Sequence, residues 1–530
     1  MDERFAKAAH TVVVSDLHLT DAQPRLPDRP LWKRYKQRDL FIDDCFSRFV
    51  DHLLTQLPVD SELILAGDIF DFDAVMTLPP PPSPFPVSWL ERQRGLGAEE
   101  LRSTFKMRVI LGDHPVFLQA LRTWIGAGNR VIFVIGNHDI ELHWPAVQRL
   151  VREALALPPE HRDALRICEW FYLSNGDSLI EHGNQYDAYC LCANPIHPTI
   201  QWRGEERVRV PFGNLAERYM LNGMGLFNPH VEGSFIMSLS EYVRFFVKYM
   251  IRIQPLLGIT WLWGAVVTLF VTLGEGFRPA IKDPLRMEER LAGIALRANA
   301  SAGLVLGLQA LHVHPAVFNP WKIMKELWLD RALILALLVG GSFELVTLTN
   351  VFTPVSPWWA LVVFLVLLPF FIFYARGVNS DVDSTERALW ARLPVALEVA
   401  HVQRLVMGHT HLEHHSVLLE SRRGGQMLRS ELLNTGTWSP AFRDVECTIP
   451  YGRKCFAWIR PDLSGGPRKA GLYVWEDPGV SVIAPAELAA LRPRGLLQSI
   501  QAAAAEVASR AARGGRPRPE DPGGGPSSLR

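Results

Sequence analysis

Five apolar runs of this chain end in residues whose types can bind metal, among them Asp16, His18, Asp68, Asn137, His138, Asp139, His182, His409 and His411. Each follows an apolar run. Val12-Val13-Val14-Ser15 precedes Asp16-Leu17-His18, and Ile64-Leu65-Ala66-Gly67 precedes Asp68. Val131-Ile132-Phe133-Val134-Ile135 leads into Gly136-Asn137-His138-Asp139, and Leu179-Ile180-Glu181 into His182-Gly183. Leu405-Val406-Met407 leads into Gly408-His409-Thr410-His411. Carboxylate, imidazole and amide oxygen donors suit Mn²⁺, Fe²⁺ or Zn²⁺, and no cysteine stands among them, which argues against a structural thiolate zinc site. Taken singly each motif is weak, because an Asp after a strand is most often a turn or N-cap residue. Five of them, each closing an apolar run, point to two cations. A cation pair needs a shared anion, and a carboxylate can bridge where a neutral imidazole does not. Asp68 is the candidate bridge. Such a pair can clamp a phosphate, lower the pKa of a bridging water and stabilise charge on attacking and leaving oxygens.

The donors need strands to carry them. Short apolar runs that end in glycine and a polar residue read as buried strands, with the donors on the turns at their carboxyl ends. Residues 39–57 carry apolar side chains at helical spacing and form a crossover helix between the first two strands, a βαβ unit. Asp113 is placed to cap a helix running to Trp124 with Pro115 in its first turn. Residues 141–155 form the next helix. Residues 171–180 form a hairpin with Asn175-Gly176 at its turn, which delivers His182. After a long interruption, residues 383–402 read as a helix returning to the sheet, and 431–438, 455–459 and 471–475 as strands and turns.

The motifs Asp16-x-His18, Gly67-Asp68-x-x-Asp71, Gly136-Asn137-His138-Asp139, His182-Gly183 and Gly408-His409-x-His411 resemble those of the calcineurin-like metallophosphoesterases, over residues 10–190 and 400–460. The resemblance implies an α/β (α+β) fold, a four-layer αββα sandwich. It implies one metal held by Asp16, His18, Asp68 and His411, and a second held by Asp68, Asn137, His182 and His409. His138 would not be a ligand; it would contact the phosphate and assist the leaving group. Asp71 and Asp139 would orient ligands or His138. Within the superfamily the chain looks most like the UDP-2,3-diacylglucosamine pyrophosphohydrolases of lipid A synthesis. Ser15-Asp16-Leu17-His18-Leu19 fits them, as does an insertion between His182 and the Gly-His-x-His motif, which in that family forms a lid over acyl chains. Two features depart: His138 stands where that family often has Arg, and the insertion is far larger.

The chain has 530 residues and a formal net charge of +0, so no global field argues for nucleic acid. Its 6 cysteines are scattered, with one residue between Cys190 and Cys192 and no Cys-x-x-Cys pair. They read as reduced thiols in a cytosolic setting. Residues 1–7 lack the apolar core of a secretory signal.

Hydrophobic residues make up 48% of the chain, and the middle of the sequence explains the excess. Runs at 255–273, 332–350 and 357–375 approach the roughly 20 residues that span a bilayer. A weaker run covers 298–317. The third is apolar on every face, which suits lipid better than a protein core. Ligands on both sides of the insertion must meet, so the number of full crossings is even. Arg331 and Arg376 flank the last two runs, which predicts a hairpin with both ends cytoplasmic. The first run is basic on both sides. It is either re-entrant or interfacial, giving two crossings, or paired with the weaker run, giving four. Amphipathic stretches at 235–253 and 321–329 suit the headgroup plane. The expected domains are a metallophosphoesterase part at 8–195, a helical insertion at 196–385, a second part at 386–484, and an Ala-rich helix with a Gly/Pro/Arg tail at 485–530. The expected function is a phosphohydrolase with two divalent metal ions (Mn, Fe or Zn) in the inner (cytoplasmic) membrane. It acts at the cytoplasmic face on a phosphoester or pyrophosphate, lipid-linked in one alternative and a soluble nucleotide or phosphoprotein in the other. A scaffold without turnover is the third.

Overall fold

The computed structural model describes residues 5–225, 247–248, 256–377, 382–423, 426–442 and 444–483. Most of the amphipathic stretch expected at 235–253, and the helix and tail expected at 485–530, lie outside the described residues. Strand β1 (Thr11–Val14) leads through helix α1 (Asp43–Gln56) to β2 (Glu62–Ala66). Helices α2 (Trp89–Arg94), α3 (Glu100–Asp113) and α4 (Pro115–Gly126) precede β3 (Arg130–Val134), and α5 (Pro145–Leu155) precedes β4 (Leu165–Cys168). These four strands are parallel neighbours, with Val13 beside Ile64 and Ile64 beside Ile132. The hairpin of β5 (Phe171–Ser174) and β6 (Ser178–Glu181) turns at Asn175 and Gly176, both with positive φ, as Asn-Gly favours. A small hairpin, β7 (Thr199–Trp202) and β8 (Glu205–Val208), and helix α6 (Phe212–Tyr219) follow.

Two local expectations are corrected. Asp113 ends α3 instead of capping α4; His114 holds the cap position before Pro115. The helix expected over 141–155 begins as a 3₁₀ turn at Ile140–His143 and becomes α5 only at Pro145. A proline ring clashes with the preceding turn, so it is tolerated where a helix starts.

In the insertion come α7 (Leu257–Gly276), α8 (Met287–Arg297), α9 (Ala302–Gln309), α10 (Pro320–Glu326), α11 (Leu329–Phe352) and α12 (Trp359–Gly377). Helix α13 (Val382–Ala400) then returns the chain to strands β9 (Arg404–Met407), β10 (Glu413–Arg423) and β11 (Gln426–Thr435). The short pair β12 (Ala441–Phe442) and β13 (Pro450–Tyr451) precedes β14 (Cys455–Arg460), β15 (Lys469–Trp475) and β16 (Val480–Val482). One sheet runs β16-β15-β14-β1-β2-β3-β4 and the other β10-β11-β9-β6-β5.

The alternation of side chains along each strand builds four layers. In β1, β2 and β3, residues Val12, Val14, Leu63, Leu65, Val131 and Phe133 face the helices α1, α4 and α5. Val13, Ile64, Ile132 and Val134 face inward and meet Ile180, Val406 and Leu433 of the second sheet. On that sheet's far side, Leu179, Leu405 and Leu432 pack on α8, α9 and α13 through Ile294, Val305, Leu308, Leu393 and Leu397. The layers are therefore helix, sheet, sheet, helix. In the run expected at 298–317, Val305 and Leu308 of α9 are core residues, while α9 together with the helical stretch from Pro284 to Arg297 forms a bent apolar pair that passes as a fourth candidate span by length and composition.

Three helices, Leu257–Gly276, Leu329–Phe352 and Trp359–Gly377, are long and apolar enough to cross a membrane, which supports membrane association. They differ in what they cover. α11 and α12 pack mainly on each other and expose Leu337, Phe343, Val366, Phe370 and Phe373. The Tyr374 hydroxyl donates to Asp330 at 2.8 Å, tying the end of α12 to the start of α11. α7 instead buries Gly264, Ala265 and Thr268. A Cβ at Gly264 would overlap the Tyr219 carbonyl, so α7 lies tight on α6.

Candidate metal centre

Parallel pairing brings the carboxyl ends of β1, β2 and β3 together, and the parallel pair β6 and β9 does the same in the facing sheet. The loops leaving these ends carry every donor named from the sequence. Asp16, His18, Asp68, His409 and His411 all adopt left-handed backbone, with φ of 56°, 51°, 50°, 69° and 57°. Such conformations cost on the order of 1–3 kcal/mol each for residues with a Cβ and persist where surrounding structure enforces them. The motif glycines provide the close approach. A Cβ at Gly67 would overlap the His182 imidazole, one at Gly136 the Asp68 carboxylate, and one at Gly408 both Ser15 and Asp16.

Two donor groups result. In the first, Asp16, His18 and His411 offer their ligand atoms to one point. His411 Nε2 lies 3.2 Å from Asp16 Oδ1 and 3.3 Å from His18 Nε2. In the second, Asp68, His182 and His409 converge. His182 Nδ1 lies 3.0 Å from the Ala66 carbonyl, which fixes the protonated nitrogen there and turns Nε2 inward to 3.0 Å from Asp68 Oδ2. Asp68 stands between the groups. Its Oδ1 accepts the His138 backbone N–H at 2.8 Å, while Oδ2 faces His182 and lies 3.9 Å from His18 Nε2.

Asn137 is held by its amide nitrogen. Nδ2 donates to Asn214 Oδ1 at 3.2 Å, and Asn214 Nδ2 donates to Asp73 Oδ2 at 2.9 Å and to the Asn137 carbonyl at 3.1 Å. Asn137 Oδ1 is left buried with no hydrogen-bond partner among the described residues. A buried acceptor without a donor and imidazoles fixed with a nitrogen inward suit cations. The residues present therefore fit a pair of divalent metals.

The other expected residues divide by task. Asp139 accepts from the backbone of Gly136 at 2.6 Å and of Ile69 at 2.8 Å, so it ties the Asp68 loop to the Asn137 loop. His138 Nδ1 lies 3.3 Å from Glu217 Oε2 and 3.5 Å from Asp71 Oδ1. Burial raises the Asp68 carboxyl, but His182, His138 and His18 outweigh it and hold it well below the usual range. Burial and the neighbouring Asp68 push Asp139 up to about 7. Burial lowers the His138 imidazole, and Glu217, Asp68 and Asp71 reverse this and hold it well above its usual value.

Residues 9–217 match the family model of the calcineurin-like phosphoesterase domain. Over these residues the chain carries a domain similar to that family. The protein is accordingly a metal-dependent hydrolase whose centre takes two divalent cations. No curated protein matches the chain. The matched phosphoesterase segment reaches Glu217, and so includes most of α6, which lies in the range expected for the insertion.

The structure adds residues to the phosphoesterase centre that motif reading missed. Asp187 Oδ2 lies 3.1 Å from His409 Nε2 and, with Cys190, forms a further donor group there. Asn214, Glu217 and Arg218 reach in from α6, and Arg218 pairs with Asp73. Their i, i+3, i+4 spacing marks one polar helix face, a signal the sequence did carry. Asp187 had none beyond lying five residues after His182.

Proposed function

We propose that the protein is a membrane-bound phosphohydrolase cleaving a phosphoester or pyrophosphate bond of a lipid-linked substrate at the cytoplasmic face. One observation carries the lipid-linked part. Tyr189, close to Asp187, packs in one apolar cluster with Ala265 of α7, Ile323 of α10 and Leu329 of α11. The loop beside the donors and the roots of the apolar hairpin are thus a single packed unit. At 1.5 Å per residue α11 and α12 measure about 36 and 28 Å, against a hydrocarbon core of about 30 Å.

In the proposed assignment Asp16, His18, His411 and Asp68 would hold one cation, and Asn137, His182, His409 and Asp68 the other. When bound, the pair supplies Lewis acidity toward the phosphate and a water acidic enough to attack at neutral pH. Asn214 keeps the Asn137 amide turned so that Oδ1 faces the centre. Asp187 fixes the His409 ring. Glu217 and Asp71 hold Nδ1 of His138, which leaves Nε2 to hold a proton toward the leaving oxygen. α6 and the Asp187 loop cover the donors and limit water.

The test is hydrolysis by detergent-solubilised protein of lipid-linked against water-soluble phosphoesters with Mn²⁺ present. A preference for the lipid-linked class is expected, with Asp68→Asn and His138→Ala each losing turnover while remaining in the membrane fraction. Full activity in either variant refutes the assigned roles. A preference for soluble substrates makes the protein a tethered phosphatase instead.

A further inference from the structure

One donor group departs from the oxygen and nitrogen set of the metal pair. Asp187, Cys190 and His409 offer a carboxylate oxygen, a thiol sulfur and an imidazole nitrogen, all within 4.8 Å of one another. The loop that leaves β6 places the first two. Gly183 turns the chain with a φ of 113°, a 3₁₀ turn runs over Asn184–Tyr186, and Asp187 follows. The Asp187 carbonyl accepts the backbone N–H of Cys190 at 3.2 Å and of Leu191 at 3.0 Å, so carboxylate and thiol stand on one turn. Asp187 Oδ1 accepts the Tyr189 N–H at 2.8 Å, while Oδ2 faces His409 Nε2 at 3.1 Å.

The thiol is held in place from its other side. The Tyr189 carbonyl accepts the Gly213 N–H at 2.9 Å, and the Cys190 carbonyl accepts from Asn184 Nδ2 at 3.1 Å. A Cβ at Gly213 would overlap Cys190 Sγ, so the first turn of α6 is shaped to the sulfur. All three donor side chains belong to half-buried residues, open to a cation from solvent. Orienting the His409 ring accounts for Asp187 but gives no task to the thiol beside it. Carboxylate, imidazole and thiolate together suit zinc, whereas manganese prefers oxygen donors. Three protein ligands and an open fourth position is how zinc is held outside purely structural sites.

We propose that Asp187, Cys190 and His409 form a third cation site, selective for zinc over manganese, through which zinc inhibits the enzyme. The proposal rests on the assignment of His409 to the second cation of the pair. His409 also converges with Asp68 and His182, so the two donor groups share one imidazole. With manganese alone, Asp187 orients the ring. When zinc binds, the Cys190 proton passes to solvent, the sulfur and Asp187 Oδ2 become ligands, and the imidazole is drawn toward them. The second cation is then held less firmly and turnover falls. Neither Asp187 nor Cys190 lies in the ligand motifs, so the third site is separate from the pair in everything but His409.

The experiment uses full-length protein in detergent with excess Mn²⁺, and the variants Cys190→Ser and Cys190→Ala. Cd²⁺ stands in for zinc as a spectroscopic probe. Native protein should show a thiolate-to-cadmium charge-transfer band in the ultraviolet, and both variants should lose it. Losing an outer partner weakens a metal site about 10- to 100-fold and losing a ligand no less, so zinc binding in equilibrium dialysis at fixed Mn²⁺ should weaken at least about 10-fold in each variant. Hydrolysis of bis(para-nitrophenyl) phosphate, scaled to each protein's own manganese rate, should need correspondingly more zinc for half inhibition. In native protein zinc, but not further manganese, should slow alkylation of Cys190 as read by peptide mass mapping. No band in native protein, or a band that survives in the variants, overturns the site. Equal zinc inhibition of native protein and variants assigns the inhibition to exchange within the pair and also overturns it. If both variants fail to fold, alkylation of native protein decides, and protection by both metals or by neither overturns the site. A native protein that hydrolyses no phosphoester refutes the proposed function, and the cadmium band, the dialysis and the alkylation then decide the third site alone.

Discussion

Asn214→Ala isolates the claim that Asn137 is a ligand, because Asn214 touches Asn137 and Asp73 but is not itself expected to bind a cation. The side chain is fully buried and makes three hydrogen bonds, one accepting from Asn137 Nδ2 and two donating to Asp73 and the Asn137 carbonyl. Truncation leaves Asn137 Nδ2 without its acceptor, and the amide is then free to rotate Oδ1 away. Asp73 keeps Arg218, so the helix stays docked. Losing an outer partner of a metal ligand typically lowers affinity about 10- to 100-fold, which is about 1.4–2.7 kcal/mol. The effect should fall on one of two sites, because the hydrogen bonds of Asn214 go to Asn137 and Asp73. A calorimetric Mn²⁺ titration should show two sites in the native protein. In the variant one site should weaken by that factor, with turnover restored at high metal. Two sites of native affinity would refute both the Asn137 assignment and the orienting role of Asn214. Equal weakening at both would mean that α6 had undocked.

Two further outcomes follow from the geometry. Gly67→Ala places a methyl in the His182 ring at a φ of 87°, and should cost about 1–3 kcal/mol in denaturant unfolding together with weaker metal binding; unchanged stability would mean the strand ends are not closely packed. Burial, with Arg392 nearby, pushes the His312 imidazole from 6.5 down to about 4. Below pH 6.5 the unfolded chain takes up a proton that the folded one refuses, so stability is lost as pH falls from 6.5 toward 4. His312→Gln should flatten that limb of the unfolding midpoint against pH, and an unaltered limb rejects the assignment.

The donors were legible in the sequence because the fold writes them in a local code. Each sits just past a strand whose alternate residues face a helix layer and a sheet layer, as Val12 and Val13 do. Neither layer tolerates polar groups, so the donors appear only where the apolar run stops. The hairpin at Asn175-Gly176 was legible for the same reason: its turn demands φ above zero at both positions. The residues that orient the donors were not. Asn214 and Glu217 lie 77 and 79 positions after Asn137 and His138, and no local rule relates them. The packing of α9 was not legible, because hydropathy cannot separate a helix facing lipid from one facing Leu179 and Leu405. Asp113 failed as a cap because α3 runs directly into α4, leaving one residue between them.

Where the insertion leaves and re-enters the sheet constrains how it can meet a bilayer. It departs after β6 and returns at β9, and these are hydrogen-bonded neighbours, with Ile180 beside Val406. Strands so paired cannot stand on opposite sides of a membrane, so an odd number of crossings is excluded for any arrangement that keeps the sheet. Of the three candidate helices, α7 has its small residues pressed on α6 and Thr272 and Glu275 buried against the same unit. To cross, it would have to leave a helix whose Glu217 and Asn214 brace the metal centre. α11 and α12 bear no such debt, and their turn at residues 353–358 carries no charge. Two crossings by α11 and α12, with α7 lying along the surface, satisfy the sheet, the helix packing and the hydropathy together. In that arrangement Tyr189, two residues after Asp187, packs on the root of α11 through Leu329.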